Sequence, residues 1–199
     1  MKTTKTKIMT TSIALGLLMA TASPTLAYVD KDHWASEAID HVITSKIMEG
    51  TSENEFSPEK KITLGEFITT LGKYHKIDKE KYSEKKDDDT KETKYYTEYM
   101  NWAAESKLLS DIKKSAEEEI TREETAHILA SYLRFIGDDI STLKYAVFED
   151  ESEISEWAKG DTQFLANKGI MKGTSDNKFS PKESLTRAEV AQIMYNLSK

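Results

Sequence analysis

Two arginines stand at the first position of predicted helices, where their side chains could bind an anion. Arg122 follows Thr121 and Arg187 follows Thr186. A guanidinium presents a planar, two-pronged set of donors to a carboxylate, and a helix N-terminus adds positive potential and unpaired amides. The alternative interpretation is a surface arginine that is paired with a nearby acid. Both positions are therefore candidates for anion binding.

A loop that begins with glycine and ends with proline precedes Arg187 at residues 173–181, and a similar loop occupies residues 50–58. Loops of this kind expose backbone amides and short polar side chains, which are the donors and acceptors that a sugar needs. The candidate ligand-binding residues of the two loops are Gly50, Asn54, Gly173, Asp176 and Asn177. Because no such loop precedes Arg122, we expect Arg187 to contribute more to binding than Arg122.

Other loop residues have predicted architectural roles. Gly50 and Gly173 should end the preceding helix in the left-handed conformation. The phenylalanines (Phe56, Phe179) should enter the core, and the prolines that follow them prevent continuation of the helix.

Three aromatic residues occur near the start of predicted helices: Trp34, Tyr95 and Trp157. An aromatic face suits the C–H side of a pyranose ring, so Trp34 and Trp157 are candidates for sugar stacking. The alternative is packing in the core or between repeats. His33, next to Trp34, could add a hydrogen bond.

The elements that position these residues recur along the chain. Gly173 lies 123 residues after Gly50 (173 − 50), and Trp157 lies the same distance after Trp34 (157 − 34). A degenerate third copy lies between them, with Ser106-Lys107-Leu108-Leu109 and Ile120-Thr121-Arg122-Glu123-Glu124 as its recognisable parts. The chain is therefore interpreted as a repeat protein.

An aromatic-led helix, a Gly-x-x-x-Asn-x-Phe-x-Pro loop and a Thr-Arg-Ala-Glu helix start together resemble the S-layer homology domain of Gram-positive cell surfaces. The resemblance implies non-covalent attachment to the cell wall, through recognition of a pyruvylated, anionic secondary wall polysaccharide. It also implies an all-α fold in which three helix–loop–helix repeats form one pseudo-threefold domain, here at 28–77, 95–146 and 147–199. The first repeat departs from the family, because Leu64 stands where the arginine is expected.

Apolar residues recur at helical spacing in six stretches, two in each repeat, and alternation typical of strands is absent. Each second helix of a pair begins with Thr-x-x-Glu, at Thr63, Thr121 and Thr186. This spacing predicts a capping box, in which the threonine and glutamate side chains bind amides of the first turn. The fold class is therefore all-α.

The N-terminal segment predicts export. Residues 1–27 contain Lys2, Lys5 and Lys7, an apolar stretch and a small-residue end at Ala27, which is typical of a secretory signal peptide. A membrane anchor is the alternative. Removing three lysines changes the formal charge from −7 to −10, which argues against a nucleic-acid partner. We expect a secreted protein of the cell wall or S-layer that does not insert into membranes after cleavage.

Residues 78–94 are almost entirely charged or polar, and we predict a flexible insertion there. Calcium binding at Asp87-Asp88-Asp89 is a weaker alternative, because the glycine and alternating ligands of an EF-hand are missing. The histidines have no metal-like spacing and the chain has no cysteine. We expect no cofactor, no metal and no disulfide.

Three functional classes remain after these observations. The first is a wall-anchoring module without enzymatic activity. The second is a structural or adaptor protein that contacts other surface or S-layer proteins and has lost glycan binding. The third, a wall hydrolase, is disfavoured because the repeats occupy the mature chain and no nucleophile elbow or zinc motif occurs.

Overall fold

The computed structural model describes residues 31–83, 94–138, 148–174 and 177–199. In these ranges the extended segments form isolated bridges and no β-strand. The fold of the described residues is all-α, as predicted, whereas the predicted signal peptide (1–27) lies outside them. The α-helices are α1 (Ser36–Thr44), α2 (Leu64–His75), α3 (Thr97–Glu105), α4 (Arg122–Phe135), α5 (Lys159–Asn167) and α6 (Arg187–Leu197).

The even-numbered helices all begin with the predicted capping box. In α2, the Glu66 backbone amide donates to Thr63 Oγ1 at 3.3 Å and the Thr63 amide donates to Glu66 Oε2 at 3.0 Å. The same reciprocal pair begins α4 at Thr121 and α6 at Thr186. Two of the amides that a helix start leaves unpaired are satisfied in this way.

In each odd-numbered helix, the residue after the C-cap has a left-handed backbone conformation. These residues are Lys46 (φ 58°), Lys107 (φ 58°) and Gly169 (φ 70°). Gly50 and Gly173 were predicted to fill this role, and that prediction is wrong. The helices end earlier than the loop glycines suggest, because the next amide already bonds back to a helix carbonyl: Ile47 N to Val42 O, for example, at 2.8 Å.

The described helices form three helix–loop–helix pairs, α1–α2, α3–α4 and α5–α6. The main helix contacts are between different pairs and not between the two helices of one pair. The helix α2 packs against α3, α4 packs against α5, and α6 returns to pack against α1. The chain therefore closes on itself. Tyr74 of α2 donates from its hydroxyl to the Leu197 carbonyl at the end of α6, at 3.2 Å.

A closed ring of three backbone hydrogen bonds lies at the centre of this arrangement. Ile62 N donates to Leu185 O at 3.0 Å, Leu185 N donates to Ile120 O at 3.1 Å, and Ile120 N donates to Ile62 O at 3.1 Å. All three side chains are fully buried. Each residue stands two positions before the first residue of its even-numbered helix, so the ring fixes the three helix starts relative to one another.

The first amides of each even-numbered helix donate to carbonyls of a distant loop. Arg187 N donates to Lys60 O at 2.9 Å, and Arg122 N donates to Glu183 O at 3.0 Å. Leu64 N donates to Glu118 O at 2.9 Å. Buried amides are rarely left unpaired, so these bonds hold each helix start against a loop from another part of the chain.

The core contains the loop phenylalanines, as predicted. Phe56 and Phe179 are fully buried, and Met48 and Met171 lie beside them at 4% and 1% exposure. The three helix-leading aromatics are on the surface instead, where Trp34 and Tyr95 are each 60% exposed and Trp157 is 40% exposed.

The insertion predicted to be flexible is partly structured. Residues 79–82 form a short 3-10 helix, capped by Asp78 Oδ1, which accepts from the Glu80 amide at 3.1 Å. Tyr82 packs against the core, and Asn101 of α3 donates to its carbonyl at 3.0 Å. The prediction is wrong for residues 78–83, because the apolar tyrosine anchors them. Residues 84–93, including the triple aspartate, lie outside the described residues.

Candidate binding grooves

Arg122 is buried against the 173–181 loop. Its Nε donates to the Phe179 carbonyl at 2.7 Å and its Nη2 donates to the Lys172 carbonyl at 2.9 Å. The guanidinium carbon lies 5.2 Å from the centre of the Phe179 ring, and Nη1 lies 3.5 Å from Glu189 Oε1. Arg122 therefore holds a loop of the chain that is more than fifty residues away in sequence.

Arg187 makes the equivalent contacts with the other glycine-led loop. Its Nε donates to the Phe56 carbonyl at 2.8 Å and its Nη2 donates to the Glu49 carbonyl. The guanidinium carbon lies 4.5 Å from the centre of the Phe56 ring. Both arginines are 6% exposed, so neither is the surface arginine of the alternative interpretation, although Arg122 does pair with an acid, Glu189.

These contacts contradict the reason for expecting Arg187 to contribute more to binding than Arg122, which was that a glycine-led loop precedes Arg187 in the sequence. We expected Arg187 to act with the loop that precedes it and Arg122 to have no loop beside it. In the structure each arginine lies against a loop from elsewhere in the chain: Arg122 against Gly173 to Pro181, and Arg187 against Gly50 to Pro58. The helix starts contact distant loops, and sequence adjacency does not reveal that pairing.

A cavity of about 720 Å³ opens beside Arg122, and we call it the Arg122 cavity. Trp34 lines it from one side, and Lys172 and Gly173 line it from the loop. The helix α6 contributes polar side chains on one face, which are Glu189, Gln192 and Asn196. The cavity thus combines an aromatic surface, a cation, exposed backbone and hydrogen-bonding groups.

Gly173 is required by close packing at this cavity and not by an unusual backbone angle. A Cβ atom added there would lie 2.7 Å from the Lys178 carbonyl oxygen and 3.1 Å from Phe148 Cε1. The loop is closed at this point, because the Thr174 amide donates to the same Lys178 oxygen at 2.7 Å. Any side chain at position 173 would push the loop apart.

A second cavity, of about 330 Å³, lies beside Arg187 and is called the Arg187 cavity. Tyr95 and Gly50 line it together with the polar face of α2. It also contains Lys60 and Lys73, whose ammonium groups lie 3.6 Å from Glu66 Oε1 and 2.6 Å from Glu49 Oε1. Because Glu49 and Glu66 also line this smaller cavity and pair with its two lysines, its excess positive charge comes from Arg187.

Neighbouring charges and burial both shift the pKa values of groups at the two cavities. The hydrogen bond and charge of Lys73 lower the pKa of Glu49. Burial lowers the pKa of Arg122, opposed by the charges of Glu189, Asp150 and Glu183. Burial also lowers the pKa of Arg187. A guanidinium titrates far above neutral pH, so both arginines stay charged and supply a desolvated positive charge to their cavities.

The remaining predicted site residues are distributed unevenly. Asn54 and Asn177 do not line either cavity, and Asp176 lies outside the described residues. His33 stacks on Trp34, with ring centres 5.7 Å apart, and does not itself line the Arg122 cavity. Trp157 lies elsewhere, next to His127, with ring centres 5.4 Å apart.

Sequence reasoning missed the polar face of the even-numbered helices. Glu189, Gln192 and Asn196 follow one another at steps of three and four residues on α6, which places them on one side of the helix. A polar stripe at helical spacing directly after the arginine was the available signal. The Thr-x-x-Glu spacing predicts only a capping role for Glu189.

The family model of the S-layer homology domain matches this chain at residues 29–68 and 147–191. The chain carries S-layer homology domains. The matches include α1 with the first loop and α5 with the last loop, which contribute the glycine side of both cavities. The central region around α3 and α4 is not part of either match.

The relatives of the chain include two enzymes and an S-layer protein. An amylopullulanase of Thermoanaerobacterium thermosulfurigenes and an exoglucanase of Acetivibrio thermocellus are each 31% identical over 84% of this chain. An S-layer protein of Bacillus thuringiensis subsp. finitimus is 23% identical over 96% of it. The chain spans only 9%, 16% and 24% of these three proteins.

The S-layer homology domains and the S-layer relative indicate a protein of the cell surface. Within the described ranges, no helix is both long and apolar enough to cross a membrane.

Proposed function

We propose that the S-layer homology domains attach this protein non-covalently to the cell wall by binding an anionic, pyruvylated secondary wall polysaccharide. The observation that carries the proposal is the Arg122 cavity, where the exposed face of Trp34 and the buried guanidinium of Arg122 border the same space. A pyruvylated sugar has both an apolar C–H face and a carboxylate.

The chemistry of the two cavities supports an anionic ligand. A guanidinium has five N–H donors, and Arg122 gives two to the carbonyls of Phe179 and Lys172 and one to Glu189 Oε1. Donors on Nη1 and Nη2 remain for a carboxylate, in a place where desolvation strengthens a charge-assisted bond. The Arg187 cavity has a second buried guanidinium in its lining, so it offers a second position for the same substituent.

We also propose that three helix pairs form one pseudo-threefold domain, with the central pair α3–α4 as a degenerate third repeat. Three observations support this: the ring at Ile62, Ile120 and Leu185, the cyclic packing of the helices, and the capping box shared by α2, α4 and α6. Each cavity then takes its aromatic, its arginine and its loop from three different repeats.

The protein acts as a binding module and not as an enzyme under this proposal. The catalytic names of two relatives belong to proteins of which this chain spans 9% and 16%, so those names assign no activity to it. A wall anchor needs affinity and geometric fit, and neither requires a nucleophile.

Co-sedimentation with wall preparations tests the proposal. The protein should pellet with native walls and stay in solution with walls that lack the secondary polymer or carry that polymer after removal of pyruvate. Trp34→Ala should weaken binding by about 2- to 12-fold, because an aromatic contact contributes about 0.5 to 1.5 kcal/mol. Ile136→Ala removes a surface apolar residue of similar exposure (48%) that lines neither cavity, and should bind normally.

Two results would contradict the proposal. Equal pelleting with native and polymer-free walls would show that another surface component is the partner, as the adaptor alternative requires. Dependence on the polymer without dependence on pyruvate would show that the arginines do not bind a ketal carboxylate.

A further inference from the structure

A third cluster lies where α4 and α5 meet, and it differs chemically from both arginine cavities. It consists of Trp157, His127 and Asp111, with Asp161 beneath them, and we call it the His127 site. His127 is five residues after the start of α4, as Gln192 is on α6 and Thr69 is on α2. His127 is therefore at the helix position equivalent to Gln192 and Thr69, which line the other two cavities.

The position that corresponds to Arg122 and Arg187 in the other two cavities holds no arginine at the His127 site. The residue that begins α2 is Leu64, which is 1% exposed, whereas α4 and α6 begin with Arg122 and Arg187. The loop differs as well: Asp111 stands three residues after Leu108, as Gly50 and Gly173 stand three residues after Ile47 and Ile170. A carboxylate thus replaces a glycine, and an aliphatic side chain replaces a guanidinium.

The imidazole of His127 is held by a carboxylate from below. His127 Nδ1 lies 2.7 Å from Asp161 Oδ2, and Asp161 in turn accepts a hydrogen bond from Arg134. An ionised carboxylate is an acceptor only, so Nδ1 carries the proton. In the neutral ring this leaves Nε2 as an acceptor.

Nε2 is buried and has no hydrogen-bond partner among the described residues. The His127 side chain is only 10% exposed, and Nε2 lies 3.5 Å from Asp111 Oδ2. Two acceptors therefore converge, with no donor between them. A buried acceptor without a donor is costly, so Nε2 calls for a ligand that brings one, and the exposed Asp111 carboxylate can accept from the same ligand.

The neighbouring aromatic restricts the class of ligand further. The Trp157 ring is 40% exposed, and its centre lies 5.4 Å from that of His127 at an interplanar angle of 83°. A molecule with hydroxyl donors beside an apolar C–H face fits such a surface. Two cations near this cluster are engaged, since Arg134 bonds Asp161 and Lys114 Nζ lies 2.8 Å from Glu124 Oε2. An anionic substituent would meet the Asp111 carboxylate where the other two cavities offer a guanidinium.

We propose that the His127 site binds an uncharged sugar unit, whose hydroxyl groups donate to His127 Nε2 and Asp111 while its C–H face rests on Trp157. The inference goes beyond the proposed wall attachment and does not depend on it. Together with that proposal, it assigns charged and uncharged sugar units to different grooves of one molecule.

Three tryptophans make the test direct, because each gives one indole N–H signal in an NMR spectrum. Trp34 reports on the Arg122 cavity, Trp157 reports on the His127 site, and Trp102 is 1% exposed and serves as an internal reference. Assignment follows from Trp157→Phe and Trp34→Phe. The full chain is titrated separately with methyl β-glucoside, methyl N-acetyl-β-glucosaminide and pyruvate.

We expect at least one of the uncharged glycosides to move the Trp157 signal in a saturable way, while pyruvate leaves that signal in place. Asp111→Ala should weaken this binding about tenfold or more, since hydrogen bonds to charged groups are the strong ones. Asp111 has 59% of its side chain exposed, so its loss should not disturb folding. Glu53→Ala, which removes another exposed loop carboxylate, is the matched control and should bind as wild type.

The inference is overturned if neither glycoside moves the Trp157 signal, or if the movement persists unchanged in Asp111→Ala. It is also overturned if ring-nitrogen NMR at neutral pH shows a proton on Nε2, because the imidazole then donates to Asp111 and the site is already satisfied. Failure of wall co-sedimentation with a retained Trp157 response would contradict only the proposed attachment, so the two proposals are tested separately.

Discussion

At the scale of single residues, the arginines that begin α4 and α6 have two roles in one side chain. Each donates to two loop carbonyls and covers a buried phenylalanine ring, and each also borders a cavity. A residue of this kind connects folding to binding, because the loop that it holds is also the loop that lines the cavity. Its substitution therefore affects both properties.

Arg122→Ala should lower the free energy of unfolding by about 2 to 4 kcal/mol, because the carbonyls of Phe179 and Lys172 lose their donor inside the protein. Urea denaturation measures this loss, and wall binding by the folded fraction should fall as well. Arg122→Lys keeps the charge but loses the planar geometry, so it should recover part of the binding. A fully stable Arg122→Ala protein would mean that the loop is held by other contacts.

Gly173→Ala tests the close approach in the same loop. The added Cβ would lie 2.7 Å from a backbone oxygen, and we expect a cost of about 1 to 3 kcal/mol together with weaker wall binding. Gly160→Ala is the matched control, because nothing lies within 4 Å of a Cβ there and the position is helical. Thermal unfolding should show this variant to be at least as stable as wild type. Equal effects of the two substitutions would contradict the packing argument.

At the scale of elements, the segment after α2 divides into two parts. Residues 78–83 form a capped 3-10 helix whose Tyr82 packs against the core and bonds Asn101 through its carbonyl. Lys79 Nζ also lies 5.2 Å from the centre of the Tyr99 ring on α3. These contacts make the first part an extension of the α2–α3 packing.

Replacing residues 84–93 by a glycine-serine linker of equal length should leave the melting temperature and wall binding nearly unchanged, since this charged stretch offers little to bury. Extending the replacement to residues 78–93 should lower the melting temperature, because Tyr82 and the Asp78 cap are lost. Differential scanning calorimetry of both variants distinguishes the two parts. A loss of binding in the shorter replacement would show that the acidic run is itself a site.

At the scale of the whole molecule, the three helix pairs depend on one another. The ring at Ile62, Ile120 and Leu185 needs all three to close, and each even-numbered helix begins on carbonyls of another pair. A chain without cysteine has no disulfide to replace these contacts. Stability therefore belongs to the assembled set of helices and not to a single pair.

Removal of residues 148–199 should abolish cooperative unfolding of the remainder. The truncation removes Leu185 from the ring and also removes the carbonyls of Pro181 and Glu183, which accept from the first amides of α4. Circular dichroism during heating should show a broad, weak transition. A sharp transition like that of the full chain would mean that the first two pairs form an independent domain.

The amino-acid sequence by itself determined the local structure. The helical spacing of apolar residues predicted the helices. The Thr-x-x-Glu pattern predicted the helix starts at Thr63, Thr121 and Thr186, and the loop phenylalanines were predicted to be core residues. Each of these features is a contact between residues a few positions apart, or a burial preference of one residue type, so it can be read along the chain.

The tertiary structure alone decided which residues share a groove. The loop at Gly173 meets Arg122 and not Arg187, and α6 meets α1, because the even-numbered helix starts bond to carbonyls of loops from other pairs. The unpartnered Nε2 of His127 likewise arises from the meeting of α4, α5 and the Asp111 loop. Such contacts depend on how distant segments pack around a common centre, and no local pattern records that packing.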